Sequence, residues 1–391
     1  MEFELWWLLG IPVFFALGWL AARVDIHQLI SESRSLPRAY FKGLNFLLND
    51  QHDKAIDAFI EIVKLDPETA DMHFALGNLF RRRGESERAI RVHQNLLARP
   101  DLPIEQKAQA QFELGQDYLK AGLLDRAEET FNGLLETQYG GQARRALLEI
   151  FQREKEWTRA IEAAVGLQES GAGARQKEIA QFYCELAQGA LAHMQPDDAL
   201  LLLDKALQAD RKSVRATILS GDVQLSLHDV EGALLTWRRV EQQSVLHVAL
   251  VAQRMMDGYR ALGRPQEGVN LLKSYMADAS SIDLLEVVFK TVIELDGVEA
   301  ATQLVRDELR RTPTLLGLDK LLETRLMDAP PALWAELSTV KNLVHGYTQK
   351  LARYRCSHCG FKARQFYWQC PGCSHWETYP PRRTEELNVM N

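Results

Sequence analysis

A small residue recurs along most of this 391-residue chain at a nearly fixed interval: Ala55, Ala89, Ala127, Ala160, Ala199, Ala233, Gly268 and Ala301, spaced by 34, 38, 33, 39, 34, 35 and 33. A steady interval of roughly 20–50 residues means stacked supersecondary units, none of which can bury its apolar face alone. Around each small residue the apolar positions follow helical spacing. The early copies share a fuller pattern: Leu76, Gly77, Phe80, Gly84 and Ala89 in one, then Leu114, Gly115, Tyr118, Gly122 and Ala127 in the next, with Phe131 following. An earlier copy has Gly43, Phe46, Ala55, Phe59 and a closing Pro67. Later copies are degenerate: Leu148 and Ala187 replace the helix glycine, and Gly221 and Gly263 restore parts of the pattern. The longer intervals fall at turn-formers, namely Asp101, Leu102 and Pro103, and Gly171, Ala172 and Gly173.

At these positions the chain resembles the tetratricopeptide repeat (TPR). The resemblance implies antiparallel helix pairs in which small residues permit close approach, stacked so that the first helices line a groove for peptide or protein segments. The predicted fold is mostly α: a TPR-type helical solenoid over residues 37–313, about eight repeats, then capping helices over 314–350. A break is expected at Ala329, Pro330 and Pro331, and Leu333, Trp334, Leu337, Val340, Leu343, Val344 and Tyr347 continue at helical spacing beyond it. By resemblance, Asn78, Arg81, Arg82, Gln116 and Lys120 are the groove residues, suited to an acidic or C-terminal segment through charge-assisted bonds. The alternative for Arg81, Arg82 and Arg83 is a solvated run, since exposed charges contribute little. Cys184 is expected to pack as a small hydrophobe.

The other four of the five Cys lie within 18 residues near the C-terminus. Cys356 and Cys359 form one C-x-x-C pair and Cys370 and Cys373 another, ten residues apart. Each pair places two thiolates on one ion through a tight turn, and two such turns build a tetrahedral site. Gly360 and Gly372 are expected to relieve backbone strain there. Phe361, Phe366, Tyr367, Trp368 and Trp376 are expected to form a miniature core, with the metal contributing much of the folding energy. His358 and His375 stand beside the ligands, but four Cys complete the shell. The turns resemble those of rubredoxin and also match zinc ribbons, and spacing does not separate iron from zinc. The module is predicted over 351–380, followed by a flexible tail at 381–391.

Residues 5–22 read LWWLLGIPVFFALGWLAA, without a charge. As a helix they would span roughly 27 Å, close to the hydrocarbon thickness of a bilayer. Trp6, Trp7 and Trp19 stand near the ends, as an interfacial belt would place them. Glu2 and Glu4 precede the run, whereas Arg23, Arg34, Arg38 and Lys42 follow it, which argues against a signal peptide. The expectation is a transmembrane helix within 1–22 and a juxtamembrane linker at 23–36. The charge bias would place the N-terminus outside and the bulk of the chain in the cytoplasm, in a single pass.

Apolar residues make up 46% and charged residues 25%, a folded composition. The net charge of −7 argues against nucleic acid as a partner, and Arg353, Arg355, Lys362 and Arg364 around the thiolate turns lack a stacking pattern. The sequence offers no phosphate loop, nucleophile elbow or paired carboxylates, so an enzyme is not expected. Taken together, the apolar N-terminus, the repeats and the terminal thiolate module resemble the lipopolysaccharide assembly protein B family over essentially the whole chain. That resemblance implies a single-pass protein of the bacterial inner membrane, N-terminus periplasmic and bulk cytoplasmic, that acts as a non-catalytic adaptor regulating lipopolysaccharide synthesis. It would promote proteolysis of the committed lipid A pathway deacetylase by a membrane-bound AAA+ metalloprotease, and organise other lipopolysaccharide assembly proteins. It favours iron over zinc as the single ion on the four thiolates. The alternative from the residues is a rubredoxin-like electron carrier docked through its repeats.

Overall fold

The computed structural model describes residues 51–65, 70–171 and 173–389, together with Phe15, Trp19, Lys42, Gly43, Asn45, Phe46 and Asn49. The chain divides into two compact units, Met1–Glu154 and Lys155–Asn391.

The first unit contains α1 (His52–Leu65), α2 (Ala70–Arg83), α3 (Ser86–Leu97), α4 (Ile104–Ala121), α5 (Leu124–Asn132) and α6 (Gly140–Glu154). Sequence-adjacent helices pair. Phe59, Met72, Leu76, Leu79, Phe80 and Ala89 form one buried cluster. The helix glycines are set by volume: a Cβ on Gly115 would lie 2.7 Å from the Phe131 ring, and one on Gly43 3.1 Å from Phe59. Each glycine thus makes room for a ring from the second helix of its own pair.

The second unit contains α7 (Trp157–Glu169), α8 (Gln176–Ala192), α9 (Pro196–Ala209), α10 (Val214–Ser226), α11 (Val230–Gln243), a 3-10 turn (Val245–Leu250), α12 (Ala252–Ala261), α13 (Pro265–Asp278), α14 (Ile282–Arg311), α15 (Leu315–Met327) and α16 (Pro331–Leu351). A two-stranded antiparallel ribbon follows, β1 (Tyr354–Arg355) with β2 (Lys362–Ala363), and then α17 (Thr384–Val389). Helix α14 breaks at Gly297 (φ 87°), so it supplies both helices of a repeat. The same volume rule operates here. Gly221 makes way for the Trp237 indole, whose Nε1–H donates to the Ile218 carbonyl at 3.1 Å. Where Ala187 replaces the glycine, Leu203 shares its buried cluster.

The recurring small residues Ala55, Ala89, Ala127, Ala160, Ala199, Ala233, Gly268 and Ala301 are all buried, as the interval requires. Short turns between successive helix segments hold a left-handed residue at Gly84, Gly122, Lys155, Met194, His228, Gly263 and Gly297. Three of these are not glycine, so the middle copies keep the conformation after losing the residue that makes it easy. The inserted turns fall as expected, with Pro103 preceding α4 and Gly171 and Gly173 left-handed. The break before α16 also falls where Pro330 and Pro331 predict it. Helix α16 packs along α15, while Leu333, Trp334, Val340, Leu343 and Tyr347 remain exposed.

Two expectations need correction. Among the described residues no helix is long and apolar enough to cross a membrane, so the single-pass inner-membrane placement, with periplasmic N-terminus and cytoplasmic bulk, is withdrawn. The apolar run at 5–22 and the linker at 23–36 lie outside the described residues, Phe15 and Trp19 excepted. The tail at 381–391 is not a loose end over its described part. Helix α17 is formed, with Thr384, Glu385 and Glu386 buried, because both carboxylates satisfy backbone N–H groups elsewhere in the fold.

Candidate metal centre

Each C-x-x-C pair is a turn closed by its own backbone. In the first, Gly360 N–H donates to the Cys356 carbonyl at 3.0 Å and Cys356 N–H to the Phe361 carbonyl at 2.9 Å. In the second, Ser374 N–H donates to Cys370 at 2.8 Å and Cys370 N–H to His375 at 2.9 Å. The two turns are structural copies, and the left-handed position is Gly360 (φ 78°) in one and Ser374 (φ 58°) in the other. Gly372 therefore does not serve the conformational purpose expected of it. A Cβ there would come within 3.2 Å of Phe361, so it is glycine for close packing.

The turns bring all four sulfurs within 4.8 Å of one another. Cys356 Sγ lies 3.8 Å from Cys373 Sγ, and Cys359 Sγ 3.7 Å from Cys370 Sγ. Metal–sulfur bonds of about 2.3 Å at tetrahedral angles require sulfur–sulfur edges of about 3.8 Å, whereas a disulfide needs about 2.05 Å. The donor set therefore fits one tetrahedral ion and no disulfide. Cys356 and Cys370 are 1% exposed, Cys359 is exposed and Cys373 is half-buried, so the site opens to one side.

Cys359 N–H points at Cys356 Sγ (3.5 Å) and Gly372 N–H at Cys370 Sγ (3.4 Å). Burial pushes the Cys356 thiol up, but the N–H groups of Cys359 and His358 and the Thr378 hydroxyl outweigh it and hold the thiol down to about 6. Burial, then the neighbouring sulfurs, push Cys373 up to about 12. One sulfur ionises readily and its neighbour resists, as expected where several negative charges crowd together. A bound dication removes that conflict. Iron and zinc both suit the geometry.

The expected miniature core is only partly realised. Tyr354, Cys356, Ala363, Cys370 and Tyr379 are buried, with Phe366 and Tyr367 against them, while Phe361 is exposed. The two Trp face the repeats instead. Trp376 meets Trp157 of α7 (6.1 Å) and Phe182 of α8 (6.0 Å) edge-on, and the Arg215 guanidinium lies 5.6 Å over it. Trp368 stacks on His247 at 6.0 Å. Polar bonds complete the attachment. Gln181 Nε2 donates to Glu377 (2.7 Å), and Tyr354 OH donates to Asp283 (2.8 Å). Arg383 forks onto Asp283 at 2.7 and 2.9 Å. Glu386 accepts Ile282 N–H at 2.7 Å, and Glu385 accepts Leu315 and Leu316 N–H, capping α14 and α15. The seam leaves a cleft of about 360 Å³ whose lining includes Lys177, Lys212, His247, Trp368 and Tyr379.

The groove candidates separate by environment. Arg82 and Lys120 are exposed, and Asn78 and Gln116 half-buried. Arg81 is already engaged: its guanidinium donates to Asp117 (2.8 Å), to the Glu113 carboxylate (2.5 Å) and carbonyl (3.1 Å) and to Asn78 (2.6 Å), tying α2 to α4. Asp117 also bonds His93 Nδ1 at 2.5 Å, and the His93 ring fills the space above Gly77. That buried knot was not anticipated, although an acid, a histidine and an arginine at ring and first-helix positions signal it. Cys184 is fully buried, and burial pushes its thiol up to about 12, an inert packing residue.

Comparison with known proteins agrees with both parts of the architecture. A family described as rubredoxin metal binding domain matches residues 354–381, and the tetratricopeptide repeat family matches 42–101, 112–174 and 184–244. A solved structure of Naa15/Naa10 bound to HypK-THB covers 80% of this chain and is covered over 50% of its own length, at 14% identity and a TM-score of 0.40, a likeness too slight to build on. Lipopolysaccharide assembly protein B of Escherichia coli strain K12 is 39% identical over 97% of this chain and 98% of its own. That of Haemophilus influenzae strain Rd is 30% identical over 98% and 100%. With identity of this order over nearly the whole of each chain, this chain belongs to the lipopolysaccharide assembly protein B family.

Proposed function

We propose that this chain is a non-catalytic adaptor in lipopolysaccharide assembly that holds one protein beside another. The client is the deacetylase that commits material to lipid A, and the second partner is a membrane-bound AAA+ metalloprotease that degrades it. Other lipopolysaccharide assembly proteins are further clients. The gain comes from effective concentration: two partners on one scaffold meet far more often than two in solution. The observation that carries this reading is where the thiolate module spends its contacts. Its Trp376, Glu377 and Tyr354 bind helices of the repeats across separations such as the 196 residues between Gln181 and Glu377. A module fastened in this way braces a protein-binding surface. We assign client capture to Asn78, Arg82, Gln116 and Lys120, with Arg81 holding the groove wall from within.

The test is degradation of purified deacetylase by the purified protease, with and without this chain. A several-fold rise in rate is expected, and an unchanged rate overturns the proposal. The R82E/K120E variant should bind deacetylase less tightly while keeping its helical content. A second reading, electron transfer at an iron, is favoured by the exposure of Cys359. Equal support of degradation by zinc- and iron-loaded protein upholds the adaptor. Loss of activity in a folded zinc form supports the electron carrier.

A further inference from the structure

From α7 onward each helix of the second unit packs on the helix that follows it, until α16. Helix α16 packs along α15, and the next helix, α17, sends its acids to the starts of α14 and α15 instead. The last helix of a stacked array ordinarily turns a polar face to water. The outer face of α16 does not. Leu333, Val340, Leu343 and Tyr347 stand exposed along it, Leu343 by 72% and Tyr347 by 64%. These positions fall on one stripe of a helix, and Leu337 and Val344 border it, half-buried on the side of α15. Two charges lie on the same stripe. Glu336 and Lys350 are both exposed, and neither side chain has an ion pair or hydrogen bond among the described residues. They stand at equal distances before and after Leu343, the most exposed member of the stripe.

We propose that a second copy of this chain covers this face, α16 against α16, antiparallel about a two-fold axis at Leu343. The stripe is complementary to itself in that arrangement alone. The axis sets Leu343 on the partner's Leu343 and Val340 beside the partner's Tyr347. It also sets Glu336 opposite the partner's Lys350, and by symmetry this ion pair forms twice. A parallel copy would instead level Glu336 with Glu336 and Lys350 with Lys350, and like charges oppose that pairing. Each copy thereby supplies the covering helix that the other lacks, and the contact closes after two chains. One helix per copy makes a small interface, below about 1,200 Å² in all, so the pairing is reversible and rises with concentration. A pair presents every binding surface of the chain twice, which lets a client with two contact points be held more firmly.

The test puts a thiol on the axis. In the full-length, zinc-loaded chain, Leu343→Cys should give a disulfide-linked pair under mild oxidation, because the axis brings the two sulfurs together. The unsubstituted chain should not, nor should Asn342→Cys, whose exposed position lies about 100° round the helix. Sedimentation equilibrium of the full-length chain in mild detergent should show a concentration-dependent dimer. Glu336→Lys and Lys350→Glu should each weaken it about tenfold, and E336K/K350E should restore it, since the reversed charges meet again. Leu343→Glu should abolish the dimer, with far-UV circular dichroism unchanged because the position is exposed. A monomer at every concentration, a dimer that Leu343→Glu leaves intact, or no recovery in E336K/K350E overturns the proposal. So does cross-linking of the Leu343→Cys chain in cells only to a protein of different mass. None of these measurements involves the deacetylase or the protease, so the adaptor reading stands or falls separately.

Discussion

The repeats and the terminal module are held together by different physics. Within the repeats the contacts are matched volumes: Gly115 under Phe131, Gly221 under Trp237, and Ala187 with Leu203. Within the module a few apolar residues surround four sulfurs, and the attachment to the repeats rests on edge-on rings and directed bonds to Gln181, Asp283 and the first turns of α14 and α15. Volume matching tolerates substitution so long as the partner changes too, and in a middle copy Ala187 and Leu203 share one buried cluster. Directed bonds and a thiolate cage tolerate almost none. The repeats should therefore survive loss of the metal, and the module should not.

The sharpest way to break this contrast is Cys370→Ser. Structural tetrathiolate ions contribute on the order of 10 kcal/mol to small modules, so residues 354–389 should become open to protease while far-UV ellipticity falls only slightly. Cooperative loss of all helix would show that the module and repeats are one folding unit. Next in size is Gly221→Leu, which drives a side chain into the Trp237 indole and should cost about 3 kcal/mol. Pairing it with Trp237→Ala should recover part of that loss in chemical denaturation, whereas no recovery would refute volume matching.

The junction between the two regions should respond to acid. Burial against the module holds the His247 imidazole down to about 4. The folded state therefore keeps it neutral where the unfolded chain binds a proton. Stability should decline as pH falls from about 6.5 to about 4, by roughly 2–3 kcal/mol in all. His247→Gln should flatten that part of the pH profile, and an unaltered profile would place the acid sensitivity elsewhere. The smallest effect is shared by both regions. Met194→Gly in a repeat turn and Ser374→Gly in the second thiolate turn each relieve a left-handed residue and should stabilise by about 1 kcal/mol. A gain at Met194 alone would mean that the bound ion, not the backbone, dictates the thiolate turn.

The legible part of the molecule was its local part. The interval of small residues and the spacing of Cys356, Cys359, Cys370 and Cys373 are short-range constraints, and each marks one helix pair or one turn. The turns at Lys155, Met194 and His228 escaped notice because packing imposes a left-handed conformation that their residue types do not advertise. Trp376 read as a core residue of its own module because a sequence shows that a large ring needs burial, not that Phe182 lies waiting 194 positions earlier. Arg81 read as a free groove cation for the same reason, its partner Asp117 lying one repeat away. The pairing of Asp283 with Arg383 spans 100 residues, and Glu386 reaches Ile282 across 104. A helix needing a cap and an acid able to supply one are each common, so their match emerges only once the fold brings them together.

The carboxylates of Glu385 and Glu386 make two helix starts depend on residues added to the chain long after them. The N–H groups opening α14 and α15 emerge from the ribosome well before the acids that satisfy them. Until those acids are free of the exit tunnel, two helices of the folding chain lack their caps. A chain cut before Glu385 should therefore leave both helix starts uncapped and open more readily there.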